Sequence, residues 1–348
     1  MTLPTVWFVV VAFFWTGFFV LEGFDFGVGA LHTFVGRTNV ERRVAINTIG
    51  PVWDGNVVWL VVAGAAMFGA FPGWYATWFS SLNLALWLVL AALIVRGVSI
   101  EFRGKFDTDR WRSSWSATLT LGSLLAPLLF GVGLGDLLAG LPIDDAGTFT
   151  GSFLDLLTPY GLWVGLTLLA LCLSHGASFL SVRCTGVVYD RAVRFGRPLA
   201  LVSAVLVVGF AIWTFVTADS GIGGMVALAV PVVAAIFGVV LTGSKPGTGR
   251  AFTASTVAVG GTVAAVFANL YPAVLVSTSD PAYTLTVQNS ASSNYALKVM
   301  TIAAAVLVPL VLAYQGWTYY VFRARVRGPR RSPATAQAGR ADPDNAEG

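Results

Sequence analysis

Charged side chains are scarce in this sequence. Only 11% of the 348 residues are Asp, Glu, Lys or Arg, whereas an ordinary soluble domain is roughly a quarter charged. Hydrophobic residues make up 56% of the chain, and the mean hydropathy is +0.76. The composition therefore excludes an ordinary water-soluble fold and predicts a protein that lies mostly in lipid.

Cysteine and histidine are rarer still, with two of each. Cys172 and Cys184 fit no metal-binding spacing, so we interpret them as small packing residues and expect no disulfide framework. His32 and His175 are possible haem ligands by residue type, but neither has an obvious paired axial ligand and the sequence has no CxxCH motif. We interpret both as packing histidines and expect this chain to ligate no haem and no metal.

The sequence does contain apolar runs of about twenty residues, the length that crosses a hydrocarbon core about 30 Å thick. Using Pro, Gly and charge as boundaries, we predict nine transmembrane helices. They lie near residues 5–25, 51–72, 75–95, 116–138, 159–181, 198–217, 222–242, 252–276 and 296–321. The predicted fold class is an all-α integral membrane protein, because the ten-residue alternation of a membrane β-barrel is missing.

Positive charge is distributed very unevenly around these helices. Of the 21 Lys and Arg residues, 20 follow the first, third, fifth, seventh or ninth helix, and only Lys298 does not. Because Lys and Arg near helix ends are retained in the cytoplasm, the N-terminus is predicted outside and the C-terminus inside. The acids of the opposite loops are Asp144, Asp145, Asp155, Asp219 and Asp280.

The chain divides near its C-terminal end. Residues 1–322 are predicted to form a single transmembrane domain. Residues 323–348 turn basic and then rich in Pro, Ala and Asp, which predicts a disordered cytoplasmic tail that touches anionic lipid. The segment 100–115 alternates charge with aromatic residues, and this pattern predicts an interfacial helix on the cytoplasmic face. Nucleic-acid binding is not needed to explain the net charge of +4.

Four acidic residues are the candidates for chemistry. Glu22 and Asp25 are three apart and share a helix face, near the predicted cytoplasmic end of the first helix. Asp54 falls in the first turn of the second helix, where the helix dipole favours an anion. Glu101 follows the third helix. We therefore expect all four carboxylates at similar depth on the cytoplasmic side.

Two interpretations of these acids remain open from chemistry alone. Carboxylates at membrane depth are costly and commonly form proton relays. In the alternative, Asp54 only starts a helix and the other acids are neutralised by arginines. Those arginines would be Arg42, Arg43, Arg96 or Arg103. Trp53 and Asn56, beside Asp54, are expected to support the relay or to contact lipid or another apolar molecule.

Five motifs follow one another through the first third of the chain. They are GFDFGVGAL at 23–31, ERR at 41–43, PVWDGN at 51–56, FPGWYA at 71–76 and EFRGKFDTDRWR at 101–112. In this order they resemble subunit II of cytochrome bd-type quinol oxidases. The resemblance implies two four-helix bundles plus a peripheral helix, paired about a pseudo-twofold axis with a homologous subunit I.

The resemblance also implies an activity and its partners. Subunit I would carry haems b and d and the principal quinol site, in the bacterial inner membrane. The complex would oxidise quinol and reduce dioxygen to water with protons from the cytoplasm. This chain would then ligate no haem and would support assembly and proton uptake. Whether quinone binds in this chain, and whether small accessory subunits attach, stays open.

The family's membrane carboxylates transfer to this sequence position by position. Those of the GFD and WDG motifs fall on Asp25 and Asp54, and the acid before the FR pair falls on Glu101. Their implied role is a hydrophilic route from the cytoplasm toward the haems. Many relatives have Asp where Glu22 stands and Glu or Gln where Val57 stands. The second difference predicts a shortened or rerouted polar chain above Asp54.

Two other function classes were weighed. An ion-coupled secondary transporter would bind its coupling ion at the bilayer midplane within broken helices, often between inverted repeats. A purely structural scaffold for the haem subunit would need the carboxylates for stability only.

Overall fold

The computed structural model describes residues 2–218, 221–244 and 249–327. Within these residues the chain is built almost entirely of α-helices. They are α1 (Leu3–Val35), α2 (Asn39–Ile46), α3 (Trp53–Ala70), α4 (Pro72–Ser81), α5 (Asn83–Phe102), α6 (Asp109–Ala139), α7 (Pro159–Arg183), α8 (Val187–Thr217), α9 (Ile222–Ser244), α10 (Gly249–Leu270) and α11 (Asn294–Val321). Two short antiparallel strands, β1 (Ala273–Leu275) and β2 (Leu285–Thr286), lie between α10 and α11.

Nine of the described helices are long and apolar enough to cross a membrane, which confirms the predicted number. The other two, α2 and α4, are short. The apolar residues of the nine long helices are arranged all round rather than on one stripe, as expected for helices that face lipid on one side and protein on the other.

Helix α1 lies at the centre of the molecule and packs against α3, α6, α7 and α10. One bundle comprises α1, α3, α5 and α6. In the other, α7, α8, α9 and α10 each pack on the next, and α10 returns to α7. Helix α11 packs mainly against α3 and α1 and is exposed along most of its length. The packing thus gives two four-helix bundles and a peripheral helix.

The two ends of the molecule differ in charge. At one end, here called the basic end, α1 finishes and α2 begins, and arginines from other helices reach this point. The Arg103 guanidinium donates to Asn39 Oδ1 over 3.1 Å, and that of Arg191 donates to the Val35 carbonyl over 3.0 Å. At the opposite end, residues 140–158 and 271–293 fold over the bundles and pair with each other, as at Leu141 and Ser277.

The predicted end of the first helix at residue 25 is wrong. Helix α1 continues to Val35 and closes where the Gly36 N–H donates to the His32 carbonyl over 3.0 Å. The chain stays helical because the residues after Asp25 are apolar or small and pack against α7. Asp25 therefore lies ten residues, or about 15 Å, from the end of α1, deeper than predicted. His32 is also inside this helix rather than past it.

The predicted interfacial helix at 100–115 is wrong as well. Its first residues complete α5, which ends at Phe102, and its last residues open α6. The start of α6 is set by Thr108, whose side chain accepts a hydrogen bond from the Trp111 N–H over 3.4 Å. This N-cap starts a helix that continues directly into the membrane span, so residues 109–115 are the first turns of α6. They do not form a separate interfacial helix.

Further boundaries differ from the prediction, and the sixth span, predicted to start at 198, begins at Val187. The third span, predicted at 75–95, is divided at Leu82 into α4 and α5, and α5 runs on to 102. The eighth span, predicted to reach 276, ends at Leu270 because residues 273–275 pair with β2 instead. Of the predicted tail, residues 323–327 are described, and the Val326 N–H donates to the Arg183 carbonyl over 2.7 Å. Residues 328–348, and the predicted loop acid Asp219, lie outside the described residues.

The two bundles meet where α1 crosses α7 at a pair of glycines. A Cβ on Gly27 would press on the Cys172 carbonyl oxygen and lie 2.7 Å from the Gly176 Cα. Small residues let two helix backbones approach closely, and packing is the main force between helices in lipid. This crossing fixes the position of the first helix, and of its acidic residues, against the second bundle.

We expect Gly27→Ala to lower the thermal stability of the purified protein by about 1–3 kcal/mol, because the added methyl forces α1 away from α7. Thermal unfolding in detergent measures this change. The matched control is Gly196→Ala in α8, where an added Cβ meets no atom within 4 Å. Equal stability of the two variants would show that the crossing tolerates a wider separation.

Candidate functional site

Two acidic side chains of α1, Glu22 and Asp25, are completely buried inside the first bundle, each with 0% exposure. They lie one turn apart on the same helix face. The guanidinium of Arg96, from α5, forms an ion pair with Glu22 and stacks 4.7 Å above the Phe26 ring. Arg96 is itself only 1% exposed. A buried guanidinium thus neutralises one of two buried carboxyl groups.

Asp25 is held by the amide of Asn56, from α3. Asn56 Nδ2 donates to Asp25 Oδ2 over 2.7 Å and to the Leu21 carbonyl over 3.2 Å. Its Oδ1 accepts hydrogen bonds from Gln315 Nε2 and from the Tyr319 hydroxyl, both over 2.8 Å. These two donors from α11 fix the orientation of the amide, so its N–H groups always face Asp25.

The structure does not bring the other two predicted acids to this pair. Asp54 lies in the first turn of α3, as predicted, but its side chain is exposed on the outside of the bundle. Glu101 is exposed near the end of α5. Trp53 is half-buried and its ring packs on Gly97. The buried set therefore contains Glu22, Asp25 and Asn56, while Asp54, Glu101 and Trp53 lie at the basic end.

Glu101 lines a polar pocket of about 340 Å³ at the basic end. Its walls come from α2, the end of α5 and the start of α6. They include Arg43, Arg103, Asn39 and Asp107. Arg103 is 6% exposed, and its Nε donates to Ser116 Oγ over 2.7 Å. Burial, and then the nearby guanidinium groups, lower the pKa of Arg103 from its usual value. We call this cavity the arginine pocket.

Helix α2 is fastened beside the arginine pocket by Glu41. Its carboxylate accepts hydrogen bonds from Arg191 Nη1 of α8 over 2.6 Å and from the Arg37 N–H over 2.7 Å. Partial burial acts to raise the pKa of Glu41, but these hydrogen bonds outweigh it and lower the pKa below its usual value. Glu41 is thus charged at neutral pH and ties both bundles together at the basic end.

Sequence reasoning proposed Arg96 as one of four partners for the acids and did not find Gln315 or Tyr319. Arg96 could have been recognised as a site residue from the sequence, because it interrupts the apolar run of α5. Gln315 and Tyr319 are four residues apart and share one face of α11, but this spacing alone does not name the residue they contact. Asp136 of α6 was also missed. It is fully buried near the opposite end and accepts a hydrogen bond from Thr158 over 3.0 Å.

A comparison with known protein families decides what kind of protein contains this site. The model of the cytochrome bd terminal oxidase subunit II family matches residues 3–322. The chain belongs to this family. As a subunit II, it is part of an oxygen-reducing oxidoreductase complex of the respiratory chain, and it is a multi-span protein of the bacterial inner membrane.

Curated relatives of this subunit II share much of its length. It is 40% identical over 330 residues to cytochrome bd ubiquinol oxidase subunit 2 of Bacillus subtilis, covering 93% of this chain and 97% of that one. It is 32% identical over 360 residues to cytochrome bd-I ubiquinol oxidase subunit 2 of Escherichia coli K12, covering 93% and 95%. In fold, it is similar to a chain of the bd oxidase from Geobacillus thermodenitrificans, with a TM-score of 0.72 at 19% identity, covering 92% and 99%.

Cytochrome bd oxidases contain haem, so we examined whether this subunit II could ligate one. His175 Nδ1 is 2.8 Å from Ser255 Oγ, and its Nε2 is 3.2 Å from the Val20 carbonyl oxygen. His32 Nδ1 is 2.6 Å from the Gly29 carbonyl oxygen. Among the described residues, no group of three or more His, Cys, Asp or Glu side chains could hold a metal ion. Because both of its ring nitrogens have partners, His175 does not fit a haem, and the family's haems lie in the partner subunit.

Proposed function

We propose that this chain is the non-haem-ligating subunit of a quinol oxidase and delivers protons for the reduction of dioxygen to water. Its curated relatives are named as ubiquinol oxidase subunits. The observation that carries the proton role is the burial of Glu22 and Asp25 opposite a single guanidinium. A buried carboxylate without a counter-charge is costly, so the pair favours holding a proton on one of its members.

Further contacts of the pair support transfer rather than a closed ion pair. Glu22 Oε2 and Asp25 Oδ1 are buried and receive no hydrogen bond from an N–H or hydroxyl donor of the described residues, and the two carboxyl groups lie close enough to share a proton. Two nitrogens of Arg96 are also buried and have no hydrogen-bond partner within the described residues. Buried polar atoms are normally satisfied by protein or by internal water, so these atoms favour water beside the carboxyl groups. Such water is what a carboxyl group needs to receive and release protons.

We assign the basic end to the cytoplasm, because Lys and Arg gather there. Protons would then enter near Asp54 and Glu101, which are exposed at this end, and reach Asp25. Asn56 supports this direction, since it links Asp25 to α3, the helix that begins at Asp54. Trp53 is proposed to shape the approach at Asp54. With Val57 in place of an acid or amide, this route lacks one polar side chain on α3.

The partner is proposed to be a haem-bearing subunit I, related to this chain by a pseudo-twofold axis. Haems b and d in that subunit would supply electron transfer and dioxygen reduction. The residues of this chain would hold Asp25 in place, exclude bulk water and pass protons toward the subunit interface. Small accessory subunits would add to this heterodimer.

Quinone or lipid is proposed to lie in an apolar groove of about 540 Å³ that is lined by α1, α3, α4, α5 and α6. Aromatic side chains line it, including Trp15, Tyr75, Trp78 and Phe130. The indole N–H groups of Trp15 and Trp78 have no hydrogen-bond partner within the described residues. An isoprenoid chain or an acyl chain fits the apolar walls, and a carbonyl group could accept from the indoles.

The transporter alternative finds no support at this site. A secondary transporter would place its coupling ion where helices are broken. Helix α1 is instead continuous through Glu22 and Asp25. A purely structural role predicts a different result from a role in proton delivery. Replacement of the carboxyl groups would then change the stability of the complex without changing its turnover.

Purification of the chain from native membranes in mild detergent tests the proposed assembly. We expect a coloured complex with a second, haem-bearing chain and quinol-dependent oxygen consumption. An optical spectrum, identification of the co-purifying chains and an oxygen electrode provide the measurements. A colourless preparation without a second large chain would overturn the proposal.

A further inference from the structure

Polar atoms without partners continue from the acidic pair toward the basic end. Ser123, from α6, is 1% exposed, and its Oγ lies directly against Gly29 without a hydrogen bond in the described part of the chain. One turn further along α1, His32 is 0% exposed, and its Nε2 is equally unpartnered. Buried polar groups without a protein partner are the kind that internal water satisfies.

These groups lie along one line. Glu22, Asp25, Gly29 and His32 are spaced by three, four and three residues, so they occupy one face of α1. Asp25 and His32 are seven residues apart, or about 10 Å along the helix axis. Ser123 Oγ lies against Gly29, midway between them. A few water molecules span such a distance.

Beyond His32 the line points toward the arginine pocket. The charged groups close enough to His32 to act on it are the guanidinium groups of Arg103, from the end of α5, and Arg42, from α2. Arg103 is also in the wall of the pocket, which opens at the basic end. His32 therefore lies between a polar, accessible cavity and the buried acidic pair. No other ionisable side chain of α1 lies between Asp25 and His32.

The ring of His32 has the orientation that transfer requires. Its Nδ1 lies 2.6 Å from the Gly29 carbonyl oxygen, which can only accept, so Nδ1 carries the proton and Nε2 presents a lone pair. His175 differs, because both of its nitrogens have partners. Of the two histidines, only His32 has a nitrogen free to bind water.

We propose that His32 and Ser123 hold a file of internal water that joins the arginine pocket to Asp25, and that protons reach Asp25 along this file. His32 Nε2 accepts a hydrogen bond from one water of the file and fixes its orientation, and protons pass from water to water toward Asp25. Only O–H bonds form and break, and no electron moves. The inference rests on the proposed proton role of Asp25, and it adds a route between α1 and α6 to the one along α3.

Oxygen consumption by the whole oxidase, driven by a short-chain quinol across a range of pH, tests this route. We expect His32→Leu to lower turnover about tenfold in alkaline buffer, because an apolar side chain interrupts the water. The difference in turnover between His32→Leu and wild type should be smaller in acidic buffer, where a higher proton concentration offsets slow proton delivery. His32→Gln, which can still bind water, should stay within about threefold of wild type, and Ser123→Ala should lower turnover about threefold.

The matched control for Ser123→Ala is Ser203→Ala in α8, a buried serine whose Oγ donates to its own helix at Ala200 over 2.9 Å. It should turn over as wild type. If His32→Leu lowers turnover equally at every pH, and His32→Gln does the same, His32 is structural and the inference fails. If the oxidase with His32→Leu does not assemble, the turnover of Ser123→Ala and of His32→Gln tests the inference instead.

Comparison with Asp25→Asn separates the two proposals. If Asp25→Asn is inactive while the His32 and Ser123 variants turn over as wild type, the water file is wrong and the role of Asp25 stands. If Asp25→Asn turns over as wild type, the proposed proton role itself fails.

Discussion

We expect Asp25→Asn to lower oxygen consumption about 100-fold in an oxidase that still assembles with its haems. Asn has nearly the same size and can still accept the hydrogen bond from Asn56, which donates to Asp25 over 2.7 Å. It cannot bind and release a proton, so only the titrating function is lost. An oxygen electrode gives the turnover, and an optical spectrum of the same sample gives the haem content.

The control is Asp145→Asn, an exposed acid in the loop at the opposite end. It should leave both turnover and haem content unchanged. If Asp25→Asn keeps more than half of the wild-type turnover at full haem content, protons do not pass through Asp25. If turnover and haem content fall together, the residue supports assembly, as the scaffold alternative requires.

The second large effect is expected at Arg96. Arg96→Met removes the guanidinium that faces Glu22 and Asp25, and leaves a buried negative charge without a partner. Breaking a buried ion pair from one side costs about 3–5 kcal/mol. The assembled complex should therefore unfold at a clearly lower temperature in detergent, with a reduced yield. Thermal unfolding and the yield of haem-replete complex measure the effect.

A double variant tests whether the loss of stability in Arg96→Met comes from the lost positive charge. Glu22→Gln combined with Arg96→Met removes both members of the ion pair, so the double variant should be more stable than Arg96→Met alone. The control for loss of an arginine is Arg110→Gln, at an exposed position near the start of α6. If the double variant is no more stable than Arg96→Met, the guanidinium acts by packing on Phe26 rather than by compensating charge.

Much of the fold followed from the sequence, because lipid imposes a simple length rule on apolar helices. The number of spanning helices was predicted correctly. The boundaries that failed, at α1 and at 100–115, share a cause. Polar residues were used as helix ends, yet inside the bundle Glu22 is paired with Arg96 and Asp25 is hydrogen-bonded to Asn56, and the polar stretch before Trp115 opens a membrane helix.

The candidate site was predicted in part. The motifs pointed to Asp25, Glu22 and Asn56, which the structure places together. They also pointed to Asp54 and Glu101, which lie at the surface of this chain. Separation along the chain explains the omissions, since Gln315 contacts Asn56 from 259 residues away. Periodicity indicates which residues share a helix face, and it carries no information about which helix that face meets.

The sequence by itself determined that this protein spans a membrane, how many times it crosses, and that acids of the first helix belong to a polar motif of a terminal oxidase subunit. Tertiary structure alone decided which groups meet those acids: one guanidinium from α5 and one amide from α3. The reason is physical. Crossing a membrane depends on local length and hydropathy, whereas the proton affinity of a buried carboxyl group depends on charges and hydrogen bonds that distant segments bring within a few ångströms.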